Sequence, residues 1–84
     1  MLSILLERAA EKELKLLSPR IHNRIIVALQ GLSVNPRPQG CKKLAGSKND
    51  WRIRVGDYRI VYEIDDEQKV IHVNIIRLRK DAYR

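Results

Sequence analysis

The residues best suited to chemistry gather in one stretch, Trp51-Arg52-Ile53-Arg54-Val55-Gly56-Asp57-Tyr58-Arg59-Ile60-Val61-Tyr62. Apolar and charged residues alternate on both sides of Gly56-Asp57, which is the period of a β-strand. Gly at the first place of a two-residue loop suits a type II′ hairpin. That turn pairs Val55 with Tyr58, Arg54 with Arg59, Ile53 with Ile60, Arg52 with Val61 and Trp51 with Tyr62. Successive side chains of a strand point to opposite faces. One face therefore carries Arg52, Arg54 and Arg59, and the other carries Trp51, Ile53, Val55, Tyr58, Ile60 and Tyr62. Directly opposed like charges cost about 0.2–1 kcal/mol, so a fold needing only solubility has no reason to set Arg54 against Arg59. A bound anion turns that repulsion into attraction, and the planar guanidinium fork suits the oxygens of a phosphate. The competing reading is a solvated cationic strand face, relieved in part by Glu63.

A second basic set closes the chain: Arg77, Arg79, Lys80, Tyr83 and Arg84. Nearby cations lower a phenol's pKa, so Tyr83 suits proton transfer as well as stacking on a base. Its bland reading is an apolar edge tucked against a sheet. Lys42 and Lys43, read as part of a loop, are suited to backbone contacts with a polyanion. The single Cys and two His have no metal-ligand spacing, so neither a metal nor a cofactor is expected. There is no Gly-rich phosphate loop. Cys41 reads as an incidental thiol, and His22 and His72 as structural or surface residues. Any catalysis must rest on Arg, Lys and Tyr.

The net charge of +7 on 84 residues is unevenly placed. Residues 37–59 hold seven Lys/Arg against two Asp, and residues 77–84 hold four against one. Residues 60–76 hold one Lys against four Asp/Glu. Concentrated cationic charge favours nucleic acid, an anionic membrane surface or an acidic protein. No apolar run approaches the roughly 20 residues of a membrane span, and no signal-peptide pattern opens the chain. One cysteine excludes an internal disulfide. These features lead us to expect a cytoplasmic protein.

A chain of this length buries roughly 60–65% of its unfolded surface and supports one core, so residues 1–84 are expected to form one domain. Leu2–Leu6 is a short apolar run, either a first strand or the lead-in to a helix. Glu7 to Leu17 has helical composition, with Ala10, Leu14 and Leu17 on one face. Ser18-Pro19 is a helix start. A second helix follows to about Leu32, burying Ile21, Ile25, Ala28, Leu29 and Leu32. Asn35 to Gly40 breaks it. The hairpin comes next, then a polar turn over residues 65–69 and a third strand from Val70 to Ile76. The fold class is α+β, with two antiparallel helices packed on one face of an antiparallel sheet.

The hairpin, together with Leu32-Ser33-Val34-Asn35-Pro36, Lys42-Lys43-Leu44-Ala45-Gly46 and the ending Arg79-Lys80-Asp81-Ala82-Tyr83-Arg84, resembles the RelE/ParE superfamily of toxin–antitoxin toxins over nearly the whole chain. The resemblance implies that Leu2–Leu6 is a strand. For the RelE branch it implies cleavage of mRNA in the ribosomal A site by attack of a 2′-hydroxyl on the adjacent phosphate, and a cognate acidic antitoxin as partner. Arg52 and Arg54 match basic positions that grip the RNA, and Arg59 matches the arginine that stabilises charge on the scissile phosphate. Tyr83 matches the proposed general base. The arginine that protonates the leaving oxygen matches Arg77 by its distance from Tyr83, or Arg79 by the Arg-Lys-Asp-x-Tyr ending. Leu78 stands where many members have His. The rival implications are a ParE-like inhibitor of DNA gyrase and an RNA-binding module without chemistry.

Overall fold

A computed structural model describes residues 1–46 and 49–78. In chain order the elements are β1 (Ser3–Leu6), α1 (Arg8–Lys15), α2 (Pro19–Val34), β2 (Lys42–Lys43), β3 (Asp50–Val55), β4 (Tyr58–Asp65) and β5 (Val70–Leu78). They make one five-stranded sheet in the order β1-β5-β4-β3-β2.

The apolar run at the start is a strand, as the resemblance implies. It pairs in parallel with β5, Ser3 beside Val70 and Leu6 beside Val73, so the sheet is mixed where an antiparallel one was expected. The connection from β1 to β5 spans both helices and three strands, which gives the chain room to return in the same direction. Lys42 and Lys43 also depart from expectation: they form a short edge strand against β3.

Each helix follows its apolar stripe. Ala10 and Leu14 of α1, and Ile25, Leu29 and Leu32 of α2, are buried in one cluster with Ile53, Ile60, Tyr62, Ile64, Ile71, Val73 and Ile76 of the sheet. α1 is shorter than its composition suggests, because the amides of Leu16 and Leu17 bond to Glu13 and Leu14 in a tightened last turn. Ser18 is the N-cap of α2 and Pro19 its first residue, but the Ser18 side chain makes no capping bond. Its carbonyl accepts from the His22 amide at 2.8 Å. Among the described residues, no helix is long and apolar enough to cross a membrane.

The loop after α2 is tied back to the sheet. The Tyr62 hydroxyl donates to the Pro36 carbonyl at 2.8 Å. Arg37 lies 5.3 Å from the Trp51 ring centroid and pairs with Asp66 at 3.0 Å. Arg37 therefore works as a clamp between the loop and the β4–β5 turn, outside the arginine face of the hairpin.

Candidate functional site

The hairpin has the predicted register: Val55 with Tyr58, Arg54 with Arg59, Ile53 with Ile60, Arg52 with Val61 and Trp51 with Tyr62. Gly56 has φ +60° and Asp57 is not among the positive-φ residues. This is the pattern of a II′ turn, in which only the first loop residue needs positive φ. Ile53, Ile60 and Tyr62 are buried toward the helices, with Trp51, Val55 and Tyr58 packed beside them. Arg52, Arg54 and Arg59 thus share the opposite, outer face.

β5 extends this face. Regular alternation from Ile71 and Val73, both buried, would turn Ile75 and Arg77 toward the helices. The ladder shifts instead: Tyr62 pairs with Val73 and Val61 with Ile75, leaving Asn74 as the extra residue of a bulge. Beyond it, Ile76 is fully buried and Arg77 stands beside Arg59. A row of three arginines, Arg54–Arg59–Arg77, therefore crosses three adjacent strands next to the hairpin turn. Sequence inspection could not fix this register, but the doublet Ile75-Ile76, which breaks the alternation, was a visible signal.

The next row inward is Lys42–Arg52–Val61–Ile75. Lys42 thus joins the outer face. Lys43 pairs with Trp51 and falls on the other face, away from the arginines. The far end of the outer face is Asp50–Glu63–His72. His72 Nδ1 lies 3.2 Å from Glu7 Oε1, so this end is organised around carboxylates. Glu63 is four residues from Arg59 along β4, about 13 Å at strand spacing. Glu63 therefore does not sit beside the arginine row. The face is polarised, cationic at the hairpin tip and anionic at its base.

Arg54 and Arg77 are exposed, whereas Arg52 and Arg59 are half-buried. The Nε of Arg59 is shielded from solvent, so this guanidinium is more covered than a simple outward-facing position implies. Arg79 and Tyr83 lie outside the described residues. Lys12 of α1 was not anticipated as part of the site. It lines a cleft with Ile75, Ile76 and Arg77 where α1 crosses the end of β5. Its helical position gives no hint of Arg77, which the bulge alone brings there. Among the described residues, no group of three or more His, Cys, Asp or Glu could hold a metal ion. Tyr62 is no substitute for a catalytic phenol. Burial first, and then Cys41 beside it, hold its pKa well above the ordinary 10.0, and it stays a protonated donor in the core.

An arrangement of this kind is suited to binding and stabilising anionic oxygen rather than to shuttling protons through carboxylates or imidazoles. Comparison with known proteins identifies the scaffold. Residues 4–83 match the family of ParE toxins of type II toxin–antitoxin systems. The chain belongs to the RelE/ParE superfamily of toxins. A relative from Methanocaldococcus jannaschii, named RelE1 and described as a proposed toxin, is 30% identical over 76 residues, spanning 87% of this chain and 84% of that protein. The archaeal RelE–RelB complex from Pyrococcus horikoshii superposes with a TM-score of 0.83 at 25% identity, over 93% of this chain and 94% of that one. The RelBE2 toxin–antitoxin complex from Mycobacterium tuberculosis gives 0.81 at 26% identity, over 93% and 98%. The RelE/ParE fold thus accounts for the strand–helix–helix–sheet order, and RelE proteins recur among its structural neighbours.

Proposed function

We propose that this toxin is a RelE-type endoribonuclease that cuts mRNA in the ribosomal A site, halts translation, and is neutralised by a cognate acidic antitoxin. The observation that carries the reading is the Arg54–Arg59–Arg77 row, with Arg52 and Lys42 behind it on the same face. Three adjacent guanidiniums suit the extra negative charge of a phosphorane-like transition state. In the proposed reaction the 2′-oxygen forms a bond to phosphorus and gives its proton to the phenolate oxygen of Tyr83, which becomes the neutral phenol. The bond from phosphorus to the 5′-oxygen breaks, and that oxygen takes a proton from Arg77 or Arg79. The products are a cyclic phosphate and a free 5′-hydroxyl. Arg59, between its two neighbours, stabilises the phosphate oxygens, while Arg52 and Arg54 hold the strand. Of the two candidate acids, Arg77 has the stronger support, because it adjoins Arg59. The scheme needs no metal or cofactor. Positioning provides much of its rate, which suits a substrate already held by the ribosome.

The test is a translation reaction with ribosomes stalled on a defined message. Purified toxin should cut the A-site codon and leave a cyclic phosphate end. Intact message in the presence of folded toxin would refute the reading. The family match to ParE toxins motivates a second reading, inhibition of DNA gyrase. Loss of supercoiling activity with no RNA cleavage would establish it instead.

The antitoxin is inferred from the RelE–RelB complexes to which this chain is similar. An acidic segment of such a partner would complement the cationic tip and compete with RNA for it.

A further inference from the structure

Arg24 projects from α2 onto the hairpin turn. A Cβ at Gly56 would meet Arg24 Nη1 at 3.0 Å and its Cζ at 3.5 Å, so the guanidinium lies against the bare backbone of the turn. Gly56 thereby serves twice: it takes the positive φ of the turn and leaves space for this arginine. Arg24 is exposed, and no ion pair or hydrogen bond engages it among the described residues. Arg20 precedes it by one helical turn, on the same exposed side of α2. Ile25, next in sequence, is fully buried, which fixes the helix beneath.

Arg24 approaches from the helix side of the sheet, while Arg54 and Arg59 occupy the other side. Arg24 and the Arg54–Arg59 pair therefore bring their charge to the turn from opposite sides of the β-layer. We propose that Arg24, seated on Gly56 and extended by Arg20, is a second phosphodiester-backbone site, so that the hairpin tip inserts between two segments of a folded RNA. This rests on the RNA-directed reading above and specifies it further: the outer face takes the strand to be cut, and the helix side takes a separate, structured stretch. A convex turn with cations on both sides suits an RNA groove. Arginine clusters also take acidic peptide motifs, and the polyglutamate arm of the experiment below separates that occupant from RNA. The contact reads backbone, so it gives affinity and orientation without sequence preference. Arg24 is thus a positioning residue.

The experiment measures binding of the full-length toxin to purified small ribosomal subunits across a salt series, alongside cleavage on stalled ribosomes. Arg24→Ala should weaken subunit binding about tenfold and lower the slope of log affinity against log salt by about one, the loss of one phosphate contact. Arg8→Ala, which removes a cation from α1, should leave the slope as it is. An unchanged slope for Arg24→Ala, or an equal drop for Arg8→Ala, overturns the proposal. So does an Arg24→Ala effect confined to a polyglutamate peptide, which would assign the site to an acidic protein. If the slope changes as expected but the message stays uncut, the second site stands and the nuclease reading falls. If the message is cut and the slope does not change, the reverse holds.

Discussion

Arg54 and Arg59 face each other directly across the β3–β4 ladder, and Arg59 has Arg77 on its other side. A sheet face tolerates one such opposition at a cost of about 0.2–1 kcal/mol; here two share one residue. Arg54→Thr removes one of them at an exposed position and puts a good strand former in its place. Its stability in urea should rise by about 0.2–1 kcal/mol, more at low salt than at high. Its affinity for RNA should fall. A variant that loses stability would show that the row is not under electrostatic strain.

Arg59→Lys keeps the charge and most of the aliphatic stem but loses the fork. Cleavage on stalled ribosomes should drop roughly a hundred- to thousandfold, the scale of losing a preorganised transition-state donor. Thermal stability should change little. Arg77→Ala should show a comparable loss of rate, with little change in subunit binding if its role is at the leaving oxygen. A uniform loss of binding instead would make Arg77 a simple phosphate contact.

Deleting Asn74 removes the bulge. The strand must then either turn Arg77 toward the helices or expose Ile76, since a one-residue slip exchanges the faces. An unpaired buried charge costs about 3–5 kcal/mol, a large share of the roughly 5–15 kcal/mol of a small domain. The deletion should unfold the protein or strongly destabilise it by circular dichroism. Asn74→Ala keeps the extra residue and should remain folded with Arg77 in place. A stable, active deletion variant would show that the register is not set by the bulge.

Tyr62 links the core to alkaline stability. Its pKa is raised in the folded state, so above pH 10.0 the unfolded chain releases a proton that the folded chain keeps. The unfolded state then binds fewer protons, and stability falls as pH rises. The contribution is intact below pH 10.0 and lost above it, with a limiting slope of about 1.4 kcal/mol per pH unit. Tyr62→Phe should remove this slope from urea titrations. It should also cost about 0.5–1.5 kcal/mol at neutral pH through the bond to the Pro36 carbonyl. An unaltered alkaline slope in Tyr62→Phe would assign it to another group.

Local pattern was enough for the hairpin. Alternation over residues 51–62, with Gly56 at the turn, determined the pairing of Arg54 with Arg59 and the core face of Ile53, Ile60 and Tyr62, because period and turn type leave one register. The helical stripe of Ile25, Leu29 and Leu32 was equally plain. Long-range pairing decided the rest. β1 lies parallel to β5 across most of the chain's length, Lys42 and Lys43 become an edge strand with only Lys42 on the outer face, and Arg24 reaches Gly56 from another element. Above all, the bulge at Asn74 brings Arg77 to Arg59. A bulge depends on what the neighbouring strand can pair with, which no single strand's alternation records. The sequence by itself determined that arginines share a face at the hairpin tip, and the tertiary structure decided which others join them.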